Sequence, residues 1–199
     1  MTLTLTTPAA ALALDWTAEV RGHLRLDTED ERARVESVLI PAATEMAQAE
    51  TERQFINATW TLYLDAFPPD GETIVLPKPP LSSVESIKYY DTAGTLQTWA
   101  AAGNYTVVTP SGPQAECGYV VPAYGVTYPS TQSVPDAVAI EFIAGYGATY
   151  ASVPGAIRAA MLLLVGEQFE RREEAIVGAA VSEVPLAARR LLWPFRVWA

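Results

Sequence analysis

The sequence predicts an α+β protein in which a helical bundle core carries an inserted, small antiparallel β subdomain. Three observations carry this. Apolar residues recur at spacings of three and four before residue 56 and again after residue 153, which is the helical period. Between residues 57 and 147 they alternate, which is the strand period. Ten of the 15 prolines fall in that middle stretch, as short strands joined by broken loops require. The expected division is residues 1–56 for the N-terminal segment and core helices, and 57–147 for the β-rich insertion. Residues 148–175 follow as a core helix and 176–199 as a C-terminal tail.

The elements follow in order. Asp15 can cap a first helix over residues 15–26, with Trp16, Val20 and Leu24 on one face. Thr28 followed by Glu31 fits a capping box, and acids there suit the positive end of a helix. The helix that follows, to about residue 54, places Val35, Val38, Leu39, Ala42, Met46 and Ala49 on one face. Pro41 lies inside it and predicts a kink, or two helices meeting there. Strands are expected at 59–64 (Trp60, Leu62 and Leu64 on one face), 73–76, 84–90, 95–99, 105–108, 118–121 and 137–143. Asp91-Thr92-Ala93-Gly94 is the turn of a hairpin. Pro154 opens the last long helix, with Ile157, Ala160, Met161, Leu164 and Gln168 on one face. Leu162, Leu163 and Val165 make this helix apolar on its other sides too, so it is either central in its own domain or covered by a neighbouring subunit. A charge cluster over 170–174 and a stretch of small residues over 175–184 lead to the tail.

Composition argues against an enzyme. A single histidine, His23, removes the usual general base, and a single cysteine, Cys117, leaves neither a disulfide nor a cysteine-based metal site. His23 reads as a surface or boundary residue and Cys117 as a small buried apolar one in a strand. Ser82, Ser83 and Ser152 lack a nucleophile elbow, and Gly145-Tyr146-Gly147 lacks the lysine of a phosphate loop. It reads instead as a bend leaving the last strand. The acids of residues 27–31 lack the spacing of a calcium loop. Nothing in the sequence makes Asp65 and Asp70 converge as a carboxylate pair. No cofactor and no metal are expected. A net charge of -10 argues against an extended phosphate-binding face. The longest purely apolar run, residues 159–165, is far short of the ~20 residues of a membrane span. No basic residue precedes the apolar N-terminal stretch, so a cytoplasmic protein is expected.

The tail departs from the rest. Beyond Glu183 there is no acid, yet Arg189, Arg190 and Arg196 stand among Leu192, Trp193, Phe195 and Trp198. Arginine and tryptophan are enriched where interfaces concentrate their energy. Three readings stay open: folding back on the chain's own domain, docking on an acidic protein surface, and contact with nucleic acid or membrane. Composition favours the second.

The order of these pieces resembles one family. Leu14-Asp15, Val20 and His23-Leu24-Arg25-Leu26-Asp27 come first, then Ala42-Ala43-Thr44-Glu45 and Thr59-Trp60-Thr61-Leu62. Leu76-Pro77-Lys78-Pro79-Pro80-Leu81-Ser82-Ser83-Val84, Asn104-Tyr105, Phe142 through Gly147, and Val153-Pro154 with Arg158 through Leu164 follow. Together they resemble the head–tail connector (adaptor, or head-completion) proteins of long-tailed phages and gene transfer agents, over most of residues 14–199. Pro41 departs from the pattern. The resemblance implies a non-enzymatic adaptor without cofactor, built into a ring expected to be dodecameric. That ring would lie between the portal protein and the tail-side stopper, in the neck of a particle assembled in the bacterial cytoplasm. DNA would pass through its channel without specific binding. By analogy the tail would reach the portal, through Arg189, Arg190, Leu192, Trp193, Phe195, Arg196 and Trp198. Ile157, Met161, Leu162 and Val165 are the candidates for contact between subunits. The alternatives are another neck or tail component (stopper or tail terminator), or a non-enzymatic oligomeric binding module.

Overall fold

The structure is a computed structural model that describes residues 1–170 and 185–198. The chain forms two compact units, a sheet unit of Met1–Ala10 with Asn57–Tyr146 and a helical unit of Ala11–Ile56 with Gly147–Ala199. The α+β class stands. The picture of a helical bundle with a small insert does not, because strands claim nearly as much of the described residues as helices, 27% against 31%. The first ten residues also belong with the sheet unit and not with the helices. The charge cluster beyond Glu170 and the stretch 175–184 lie outside the described residues.

The helical unit opens with a π-helical turn, Trp16–Val20, running into α1 (Arg21–His23). Asp15 caps it as its position predicts: its Oδ1 accepts the Ala18 N–H at 2.7 Å. The Thr28–Glu31 capping box does not form, and α2 (Arg32–Arg34) starts after Glu31 without a side-chain cap. The acids here serve ion pairs instead. Glu29 lies 3.0 Å from Arg21 and 3.6 Å from Arg32 and accepts the Trp16 indole N–H at 2.7 Å; Glu31 lies 3.4 Å from Arg34.

A second π-helical turn, Val35–Leu39, leads into α3 (Ile40–Thr51), with Pro41 in the first turn of α3. This resolves the proline. Its ring would clash with the carbonyl four residues back in a continuous α-helix, and the wider turn just before it gives the ring room. The extra residue in that turn also rotates the following helix. The buried residues are Val35, Leu39, Ile40, Ala43, Ala47 and Thr51, whereas Val38 and Met46 are exposed. The predicted face of Ala42, Met46 and Ala49 is therefore displaced by about one residue. The helix ends on Glu52 in the left-handed conformation (φ 56).

α4 (Gly155–Glu170) begins immediately after Pro154 and buries Ile157, Ala160, Met161, Leu164 and Val165. Arg158 pairs with Glu19 of the first π turn, and its guanidinium sits 5.9 Å from the Tyr150 ring. α5 (Leu186–Leu192) and a 3₁₀ turn, Trp193–Phe195, complete the unit. Among the described residues no helix is long and apolar enough to cross a membrane.

The sheet unit contains β1 (Thr2–Thr7), β2 (Ala58–Leu64), β3 (Ile74–Leu76), β4 (Leu81–Tyr90), β5 (Leu96–Thr98), β6 (Tyr105–Val108), β7 (Gly118–Pro122) and β8 (Val138–Ala144). A five-stranded sheet runs β1-β2-β8-β4-β5 and a three-stranded sheet runs β3-β7-β6, with every pairing antiparallel. β1 was not among the expected strands. Leu62, Ile87, Val138, Ile140 and Phe142 of the larger sheet and Ile74, Leu76 and Val120 of the smaller share one core. An aromatic cluster extends it: Phe67 stacks on Tyr128 at 5.1 Å, and Trp99 lies 4.9 Å from Tyr105 and 5.3 Å from Tyr128. The Asp91 turn forms as predicted. Its carboxylate accepts N–H groups of Ala93 and Thr95 and the Gln97 amide, each at 2.9 Å, and these bonds, the Gln97 one foremost, hold it below the usual carboxylate range. Gly145 (φ 142) leaves β8 so close to Asn57 that a Cβ there would lie 2.6 Å from the Asn57 backbone nitrogen. No residue but glycine fits.

Candidate functional site

The residues singled out for chemistry are not brought together. His23 is exposed beside Gly166 on α4. Cys117 is half-buried and precedes β7, so it is neither in a strand nor fully inside. Ser83 donates to Glu85 at 2.6 Å. Asp65 and Asp70 each accept a backbone N–H, from Asp136 at 3.0 Å and from Tyr128 at 3.1 Å, which is loop-closing work. Among the described residues no group of three or more His, Cys, Asp or Glu could hold a metal ion. The Tyr128 phenol is pushed up to about 12 by burial and by the nearby charges of Asp70 and Glu72. Its hydroxyl donates to the Glu72 carbonyl at 2.8 Å inside the aromatic cluster, which marks a structural hydrogen bond.

The tail is where exposed aromatic and cationic side chains gather. It folds onto its own unit through one set of residues and presents another. Ala188, Leu192 and Phe195 are buried. The buried Arg53 donates through Nε to the Phe195 carbonyl, and the Val197 N–H donates to the Thr51 carbonyl at 3.0 Å. Glu50 receives Arg189 at 3.4 Å and Arg196 at 3.6 Å. Each of these two pairs is solvent-facing on the arginine side and contributes about 0–1 kcal/mol.

What faces water is the remainder. Trp193 is 52% and Trp198 64% exposed, and their rings meet edge to face at 5.2 Å. The Arg196 guanidinium covers the Trp198 ring at 4.8 Å. Arg190 and Leu186 are exposed on the same short helix. Of the seven residues expected to dock, Leu192 and Phe195 are therefore anchors, occupied inside the unit. Trp193, Trp198, Arg190 and Arg196 form the presented patch, with Arg189 at its edge. The reading in which the tail folds back and the reading in which it docks outward each describe half of it. Leu186 was missed; as an exposed leucine opening the tail helix, it was visible in the sequence.

The residues expected between subunits need a similar correction. Ile157, Met161 and Val165 are buried within the helical unit. Their apolarity goes into that unit's own core, against α3, α5 and the π turn Val35–Leu39. Leu162 remains half-buried, as does Leu163 beside it.

This arrangement is an α+β chain of two compact units, the helical one presenting an exposed aromatic–cationic patch. No protein-family model matches the sequence, and no curated protein matches it either. Solved structures do. A chain of the neck of an empty gene transfer agent (GTA) particle, computed with C6 symmetry, is 27% identical with a TM-score of 0.78; the match covers 100% of this chain and 97% of that one. A chain of the virion of a native GTA particle is also 27% identical over the same shares, with a TM-score of 0.77. A chain of the neck of a native GTA particle, computed with C12 symmetry, is 21% identical and shares the fold at a TM-score of 0.71. The resemblance to the head–tail connector proteins thus holds in three dimensions: from end to end, the chain has the fold of a GTA neck protein.

Proposed function

We propose that the protein is a structural, non-enzymatic adaptor of the neck, which acts by assembling into a ring that extends the DNA channel between portal and stopper. The end-to-end similarity to a chain of a GTA neck carries this reading. The C6 symmetry of that structure suits a ring of twelve as well as one of six, since a twelve-fold ring contains the six-fold rotation. The presented patch of Trp193, Trp198, Arg190 and Arg196 is the surface offered to the portal, and Leu162 with Leu163 is offered to a neighbouring subunit. Charge fits a channel wall. Residues 1–10 and 57–146 hold eight acids against two lysines and no arginine, so DNA would slide past the sheet unit without sticking.

Electron microscopy of the protein mixed with its cognate portal tests the proposal. The expected result is a ring stacked coaxially on the portal. A stable monomer with no affinity for the portal would refute it, and a ring that binds only tail-side components would replace it with a stopper or terminator role.

A further inference from the structure

Among the described residues, both outer strands of the five-stranded sheet are open. β1 and β5 together have nine residues, Thr2–Thr7 and Leu96–Thr98, and eight of the nine are exposed. In the three-stranded sheet, by contrast, the edge strand β3 buries Ile74 and Leu76, and β6 buries Tyr105. Soluble proteins usually guard an open edge with lysine, proline or another charge, because its unpaired N–H and C=O groups template a further strand. Neither edge has such a guard. Thr2-Leu3-Thr4-Leu5-Thr6-Thr7 and Leu96-Gln97-Thr98 contain no charged residue and no proline, in a chain of net charge -10. Each edge also leaves one leucine in water, Leu5 at 44% and Leu96 at 55% exposure. The straight part of β1 spans Thr2 to Leu5, before a register shift between Leu5 and Thr7, and is long enough to cover all of the shorter β5.

We infer that neighbouring copies of this chain pair through these edges, β1 of one against β5 of the next, so that the sheet continues from subunit to subunit. The inference rests on the ring reading above. A ring needs two different, mutually complementary surfaces on each subunit, and the two ends of one sheet are such a pair. Identical strongly acidic chains repel, and the lack of charge along both edges removes that repulsion where backbones must approach to about 5 Å. The strand order adds a direction. With five strands alternating, β1 and β5 run the same way, so continuation of the sheet joins them in parallel. Pairing of β1 with its own copy would instead give a two-fold dimer and stop there.

Cysteine cross-linking of the full chain tests this. In a Cys117→Ser background, Thr2→Cys or Thr4→Cys is combined with Leu96→Cys or Thr98→Cys, and rings are formed with the cognate portal and oxidised. At least one combination should give a ladder of covalent multimers up to the ring size, while each single cysteine stays monomeric. Separately, Thr4→Lys with Leu96→Lys should lower ring occupancy at least tenfold with an unchanged circular dichroism spectrum and melting temperature. Rings seen by microscopy that yield no ladder in any combination, and that tolerate both lysines, would overturn the edge pairing and leave the adaptor reading intact. Absence of rings in the unmodified protein under all these conditions would overturn both.

Discussion

Replacing Trp193 and Trp198 together by alanine should separate what the tail presents from what holds it. Both rings are more than half exposed, so folding hides little of their surface. Their edge-to-face contact at 5.2 Å is worth about 0.5–1.5 kcal/mol. The Arg196 guanidinium over Trp198 adds about 0.5–1 kcal/mol at an exposed site. The double variant should therefore lose about 1–2.5 kcal/mol of stability, a few degrees in melting temperature for a chain this long. Binding should respond far more. A tryptophan that anchors an interface costs at least ~2 kcal/mol when truncated, about thirty-fold in affinity. Because the two rings touch, their losses do not simply add, and the double variant should fall between about thirty-fold and a thousand-fold. Biolayer interferometry against the portal, alongside a thermal melt, reads both numbers. Binding within threefold of the unmodified chain, with a normal melt, would refute the assignment of these rings to the docking surface. Deleting residues 186–199 is a poorer test, because it also removes the buried Ala188, Leu192 and Phe195 and the carbonyl to which Arg53 donates, and so should destabilise the helical unit itself.

Other perturbations probe the scaffold. Phe195→Ala should cost about 3–5 kcal/mol, visible as a lowered denaturation midpoint, because the ring is almost wholly buried. Gly145→Ala should unfold or severely destabilise the sheet unit in circular dichroism melts, since its Cβ would strike Asn57 at 2.6–2.7 Å in a positive-φ conformation. Tyr128 should ionise late in a 295 nm titration, near pH 12. Since its pKa is raised on folding, its stabilising contribution is complete below pH 10 and is lost as pH rises from 10 towards 12. Tyr128→Phe should abolish this late step and cost about 1 kcal/mol for the lost bond to Glu72.

Local chemistry is what the sequence by itself determined. The Asp15 cap, the Asp91–Gly94 turn, the helix opening after Pro154 and most strands depend on residues within a few positions of one another, and they form as read. The alternation of Thr and Leu over residues 2–7 was a strand signal too, but a single strand becomes one only when β2 supplies its partner. Tertiary structure decided the rest. Glu31 turned from capping to pairing with Arg34, and Glu29 beside it is taken up by Arg21, Arg32 and the Trp16 indole. The π turn before Pro41 rotated α3 by about a residue, which no periodicity count over a uniform helix can show. The tail's division into Leu192 and Phe195 inside and Trp193 and Trp198 outside depends on contacts with Thr51 and Arg53, more than 130 residues away in sequence. Composition marked the tail as sticky, but only packing against a distant segment selects which of its side chains are left to bind a partner.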